Sequence, residues 1–263
     1  MPSSQALLLS APPDRLQAAR ETGLPLVHTA YRIGSGAHLF RANIPVAVRG
    51  GLMAVDNIGF DGLGEATPFC HEVMRECTAR GFTGIVCRFE GRPLQLLSRI
   101  TAELCELTAK RGWPLYVTEA YALCSGSARV LIPSALSGGS LRQRLAEAAQ
   151  RYRADRLVLQ VERVAADFSL PSPSGQGAPL SREALRARME ECSPTIFFSN
   201  ELCARYFTYM SQHSGAHFIL FDDAGSIRKK LQIARSLGVT QAVLSYPEID
   251  DLLPELLSGG FSG

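Results

Sequence analysis

Six carboxylates stand where short apolar runs of this chain give out: Asp56, Glu90, Glu119, Glu162, Asp222 and Glu248, with Tyr246 beside the last. Two carboxyl groups flanking a glycosidic bond are the common apparatus of glycoside hydrolysis. They lie about 5–5.5 Å apart when the anomeric configuration is retained and about 6.5–9.5 Å apart when it is inverted. A ring of acids at one end of a fold therefore suits sugar chemistry. The bland alternative is that such ends are polar anyway, and that among 25 acidic residues several fall there by chance. Glu90 has the most informative surroundings. It closes the stretch Gly81 to Glu90, GFTGIVCRFE, whose apolar centre Ile85, Val86, Cys87 is too short for a helix and lies between glycine-containing turns. Alternate side chains of a strand share a face, so Val86, Arg88 and Glu90 point one way and Cys87 and Phe89 the other. An arginine within ~4–6 Å lowers a carboxyl pKa by about 1–3 units, the wrong direction for a general acid near neutral pH. Glu90 and Glu162 are the expected catalytic pair, with Glu119 and Asp222 as alternative second carboxylates. Arg88, Asp56, Glu119, Asp222 and Tyr246 are the expected substrate-binding residues.

Absences prune other chemistries. The three lysines, Lys110, Lys229 and Lys230, all fall in predicted helices, whereas a Schiff-base enzyme needs one pointing into its site. The histidines show neither HxH nor HExxH spacing, so no metal and no cofactor is expected; His28 reads as a packed or hydrogen-bonded strand residue. No serine sits in a GxSxG elbow. Gly34-Ser35-Gly36 has no helix starting directly behind it and reads as a plain loop more than as an anion cradle. With a net charge of +2 and no basic run interleaved with aromatics, a nucleic-acid surface is not expected.

The elements that must position the acids repeat. Gly23, Gly81, Gly112 and Gly238 each stand a few residues ahead of an apolar, β-branched run, the pattern of a helix closed by a left-handed glycine and a short turn into a strand. Repetition of that junction argues for alternating strands and helices around a parallel sheet. Strands are predicted over 5–10, 26–31, 44–49, 85–90, 115–119, 156–162, 195–199 and 241–245, with an extra strand over 217–221 as an excursion outside the barrel. Helices are predicted over 13–22, 68–80, 93–110, 140–153, 181–192 and 226–237, with another reaching about 212. Ser140 and Gln143 have the spacing of a capping box. Residues 170–179, LPSPSGQGAP, read as a loop and a candidate mobile lid. The expected fold is an α/β class (β/α)8 TIM barrel, one domain over 1–263, whose C-terminal strand ends carry any site.

The residues also carry a resemblance. Gly81 to Glu90 resembles the fourth-strand motif of glycoside hydrolase family 18, the chitinase and spore-lysin barrels, in which a Gly-Phe-Asp-Gly lead runs through alternating aspartates to a terminal catalytic glutamate. Thr83, Val86 and Arg88 stand in the places of the aspartates, and Glu90 matches the glutamate. Ile44 to Gly51 (IPVAVRGG) is similar to the family's third strand, with Val48 in place of its serine. Asp222-Asp223, Ser226, Lys230 and Tyr246 are similar to its final Asp-Asp…Ser…Lys segment, with Tyr246 in place of a tryptophan. The family's mechanism is substrate-assisted: the glutamate protonates the leaving oxygen while the aspartate two residues before it orients the acetamido group. Arg88 cannot do the aspartate's work, and Val161-Glu162 stands where the family commonly has Tyr-Asp on its sixth strand. Two readings stay open. One is a glycoside hydrolase-like barrel with a degenerate motif that binds carbohydrate or is catalytically impaired. The other is an active hydrolase of a chitin-like or bacterial cell-wall glycan, using Glu90 with a second carboxylate. Seven cysteines without a CxxC pair, no stretch near the ~20 apolar residues of a membrane span and no basic-flanked apolar leader give the expectation of a cytoplasmic protein. A glycan is the expected ligand, and oligomeric state is left open.

Overall fold

The computed structural model describes residues 5–42, 49–136, 139–172 and 175–258. In chain order the elements are β1 (Ala6–Ala11), α1 (Leu16–Glu21), β2 (Leu26–Gly34), β3 (His38–Arg41), β4 (Leu52–Asp56), α2 (Ala66–Arg80), β5 (Ile85–Arg88), α3 (Gln95–Ala109), β6 (Leu115–Thr118), β7 (Arg129–Pro133), α4 (Leu141–Tyr152) and β8 (Leu157–Val161). There follow β9 (Ala165–Ser169), β10 (Ala178–Pro179), α5 (Arg182–Cys192), β11 (Phe197–Ser199), β12 (Ala204–Ser211), β13 (Gly215–Phe221), α6 (Ala224–Ser236), β14 (Gln241–Ser245), α7 (Tyr246–Ile249) and α8 (Leu253–Ser258). The strands β1, β2, β4, β5, β6, β7, β8 and β14 pair in parallel in that order, and β1 pairs with both β2 and β14, so the sheet closes into the expected eight-stranded barrel. β3 adds an antiparallel strand beside β2.

Strand parity separates the barrel interior from its coat. Leu8, Val27, Leu52, Ala54, Val86, Tyr116, Leu131, Val158 and Val243 form the inner cluster. Their outward neighbours, such as Leu9, Val55, Cys87, Val117 and Leu159, pack against α1, α2, α3, α4 and α6 in two outer clusters. A buried leucine such as Leu97 or Leu104 contributes about 1.5–3 kcal/mol. The N-terminal end of the barrel is plugged by a polar trio: Gln241 Oε1 accepts from Tyr116 OH at 3.3 Å and from the Arg129 guanidinium, which also lies over the Tyr116 ring. The expected junction glycines all have positive φ, between 67° and 81°, and Gly81 shows why: it caps α2 in the left-handed region, with its N–H returned to the last turn of the helix.

β9 to β13 form a second, antiparallel sheet of order β10-β9-β13-β12-β11 between β8 and α6. The excursion expected around His217 is therefore real and larger than the one strand foreseen. The strand expected over 195–199 belongs to it as β11, not to the barrel. The stretch expected to be a helix reaching 212 is β12, whose Tyr206, Phe207 and Tyr209 suit a pleated surface better than a helix. The barrel strand that replaces 195–199 is β7, and it comes just after the 3₁₀ turns of Glu119–Cys124 where a helix would be usual. The strand expected over 44–49 falls almost wholly outside the described residues, and the third barrel strand is β4. Ser140 makes no side-chain cap; the reciprocal capping box is Asp223 with Ser226 at the start of α6. The candidate lid is tied at both ends: Leu170 N–H donates to Ala216 O, and β10 pairs with β9, with residues 173–174 outside the described part. The Gly34-Ser35-Gly36 loop donates to Asp61 from Ser35 Oγ at 2.5 Å, so a carboxylate occupies it. No described helix is long and apolar enough to cross a membrane.

Candidate functional site

Inward parity continues past the apolar layer to the C-terminal strand ends. There Ser10 of β1, Arg88 at the end of β5 and Glu90 just past it, Gln160 of β8 and Glu162 just past it, Ser245 of β14 and Glu248 line a cavity of about 220 Å³. A second cavity of about 360 Å³ shares Glu90, Leu131, Gln160 and Glu162 with the first and extends toward Glu119 and Arg144. The expected pair Glu90 and Glu162 is thus brought to one cleft.

Each carboxylate is held by its backbone. The Asn57 side chain grips the peptide of Glu90 on both sides: Glu90 N–H donates to Asn57 Oδ1 at 2.9 Å, and Asn57 Nδ2 donates to Glu90 O at 3.0 Å. Buried Ser134 does the same after β7, accepting from Glu162 N–H at 3.0 Å and lying 3.5 Å from Glu162 O. Gln160, two residues back on the same face, donates from Nε2 to Glu162 Oε1 at 3.0 Å. Thr118 Oγ1 donates to Phe89 O at 2.7 Å and fixes the turn before Glu90. Glu248 accepts from Arg163 N–H at 3.2 Å, and the Arg163 guanidinium bonds Glu248 O at 2.8 Å.

Glu162 differs electrostatically from an ordinary surface glutamate. Its half-burial, followed by the negative charges of Glu248 and Glu90, raises its pKa, while the Gln160 hydrogen bond and the more distant Lys230 cation pull it down by less. Glu162 therefore keeps its proton to higher pH than a solvated glutamate. Among the described residues no ion pair within 4.0 Å joins Arg88 to Glu90 or to another acid, and half-buried Arg88 lines the cleft. Both residues line the cleft from one strand face, as their parity implies, and the rise of about 6.6 Å along the chain between them leaves room for the side chains to stand apart without an ion pair.

The other expected residues divide. Glu119 lines the second cavity but is paired with Arg144 of α4. Asp56 accepts from Ile58 N–H at 3.0 Å and lines a different pocket, with Tyr31 and Arg41. Asp222 is 1% exposed and lines neither cavity; its carboxylate is taken by Lys230, Ser226 and the Val164 N–H. Tyr246 opens α7 and packs against the outer core, one residue past the inward-facing Ser245. Glu162 ends the seventh barrel strand, not the sixth; at the sixth-strand end stands Pro133-Ser134. Sequence reasoning missed Gln160 and Ser245, which parity from Glu162 and Val243 points to, and Asn57 and Ser134, for which no sequence pattern was available. No group of three His, Cys, Asp or Glu among the described residues could hold a metal.

The fold has solved counterparts. The chitinase of Chromobacterium violaceum superposes with a TM-score of 0.73 at 14% identity, over 98% of this chain and 99% of that one. The spore cortex-lytic enzyme SleL of Bacillus megaterium gives 0.71 at 14% identity, and that of Bacillus cereus 0.71 at 16%, each over 97% of this chain and 75% of the other. At these identities the likeness is one of fold, and it matches the barrel that the sequence motifs resemble. No protein-family model and no curated protein matches the sequence.

Proposed function

We propose that this barrel acts on a glycan held across the two cavities of its mouth, with Glu162 as proton donor to the leaving oxygen and Glu90 as the second carboxylate. The observation that carries this reading is the placing of both groups in one cleft, with the pKa of Glu162 raised by burial and by its acidic neighbours. A glycosidase needs one carboxyl that holds its proton and one that does not, and different surroundings are how two chemically identical groups are given those roles. Glu90 serves either as base to a water or as nucleophile to the anomeric carbon. Support also comes from the fold, which chitinases and spore cortex-lytic enzymes share. The seven cysteines, unpaired in the structure, favour a reducing compartment.

Arg88 favours a second reading: a barrel that binds the same class of glycan without turning it over. In the resembled family an aspartate in its position orients the substrate's acetamido group, and a guanidinium offers neither a proton acceptor nor that orientation. The experiment is hydrolysis of chitin oligosaccharides and peptidoglycan fragments by wild type, Glu90→Gln and Glu162→Gln, with binding measured in parallel. Turnover by wild type that both substitutions abolish supports the hydrolase. Binding without turnover by all three supports the second reading, and neither binding nor turnover defeats both.

A further inference from the structure

The antiparallel sheet carries a second cluster of reactive groups, none of which lines the cleft. Ser214 is exposed in the turn between β12 and β13, and its Oγ lies 2.7 Å from His217 Nε2. His217 is 7% exposed, and its other ring nitrogen, Nδ1, lies 2.8 Å from Asp167 Oδ1 on β9. The second oxygen of Asp167 accepts from Tyr209 OH at 2.8 Å. β12 and β9 flank β13, which sets Tyr209 directly opposite His217, and the two rings stack with centroids 4.7 Å apart. Arg188 of α5 lies over the Tyr209 ring at 4.7 Å. The imidazole is thus fixed in plane by its stacking partner and in tautomer by the carboxylate on Nδ1, leaving Nε2 to take the proton of Ser214 Oγ. Two adjacent peptide N–H groups, of His213 and Ser214, converge on Ser211 Oγ at 3.3 Å each. Those bonds are long, so a carbonyl oxygen gaining negative charge at Ser214 can take the place of the Ser211 hydroxyl between the two donors.

We propose that Ser214, His217 and Asp167 form a serine-nucleophile centre for small acyl esters, separate from the glycan cleft. Nucleophile, base and orienting carboxylate stand in sequence within hydrogen-bond reach, and such a constellation is recognised by geometry and roles, not by chain order. The substrate is small in its acyl part because the serine projects from an open turn, where an acetyl-sized group on a protruding ester meets it without a binding pocket. Ser214 Oγ forms the bond to the acyl carbon, the ester C–O bond breaks, and the serine proton passes through His217 Nε2 to the departing alkoxide. Water then releases the acyl group as a carboxylic acid by the reverse proton path and restores Ser214.

The test uses the full chain with a fluorophosphonate probe and with p-nitrophenyl acetate, the labelled residue being mapped by peptide mass spectrometry. The expected result is a single label on Ser214, with Ser214→Ala removing label and esterase activity together. His217→Gln, shown to be folded by its circular dichroism, should slow labelling by about 10²-fold or more, the share a general base supplies. Wild type that labels no faster than Ser214→Ala, a label on another residue, or an unchanged rate in folded His217→Gln would each overturn the proposal.

Discussion

Replacing Lys230 by methionine removes one half of a buried ion pair. Lys230 Nζ lies 2.5 Å from Asp222 Oδ2, both residues are 1% exposed, and the carboxylate also accepts from Ser226 Oγ at 2.6 Å and Val164 N–H at 2.8 Å. At an effective dielectric of about 20, charges 2.5 Å apart attract by roughly 6–7 kcal/mol, and the several kcal/mol of desolvation owed by each ion cancels most of it. The intact pair is therefore close to neutral for stability, but its breakage is not. Lys230→Met leaves a buried carboxylate with two hydrogen bonds and no counter-charge, which costs about 3–5 kcal/mol. For a chain of 263 residues that lowers the melting temperature by about 5–10 °C. The double variant Lys230→Met/Asp222→Asn, which removes both charges, should recover most of the loss. Thermal and urea unfolding of wild type, the two single variants and the double variant close the cycle. A Lys230→Met protein within about 1 kcal/mol of wild type, or a double variant no better than the single, would refute the reasoning and reopen Asp222 as a group with work outside the fold.

Three further outcomes follow from the geometry. Glu162→Gln should stabilise the protein at neutral pH: Glu162 titrates higher in the folded than in the unfolded chain, so its contribution is intact below its unfolded pKa and is lost as pH rises through the folded one. The unfolding midpoints of variant and wild type should converge near pH 4 and separate above it, and a constant gap would count against the raised pKa. Asn57→Ala deletes both hydrogen bonds to the Glu90 peptide and should cost about 1–2 kcal/mol, read by urea unfolding. Gly84→Ala would place a Cβ 2.7 Å from Leu52 Cδ2 and 2.8 Å from Pro114 O, a crowding worth about 1–3 kcal/mol, and a thermally unchanged variant would show that the β4–β5–β6 contact is looser than drawn.

The barrel was legible in the sequence because it leans on a residue type with a conformational reason. A helix that must end and turn into a strand within a few residues needs positive φ, and Gly23, Gly81, Gly112 and Gly238 announce it. β7 was not legible in the same way: 3₁₀ turns precede it in place of a helix, and Gly126, three residues ahead of it, does not take the positive φ that closes a helix. The sheet of β9 to β13 was hard to read because its strands are held by antiparallel neighbours as distant in the chain as Phe221 and Ala165, and not by local pattern. At the mouth, parity from Val86 placed Arg88 and Glu90 on one face but could not say whether they touch. The raised pKa of Glu162 comes first from burial in the mouth and then from Glu248 and Glu90, residues far away in the chain whose proximity only closure of the barrel creates.

Carboxyl carbon NMR of the full chain, with the Glu162 signal assigned by its loss in Glu162→Gln, measures that proton affinity without knowledge of the substrate. Glu162 should titrate above the roughly 4.3 of an unperturbed glutamate, and its midpoint should fall in Glu90→Gln, where one of the charges opposing its ionisation is gone. A Glu162 that titrates at or below the unperturbed value, and that does not respond to Glu90→Gln, would contradict the assignment of the proton donor at the mouth of this barrel.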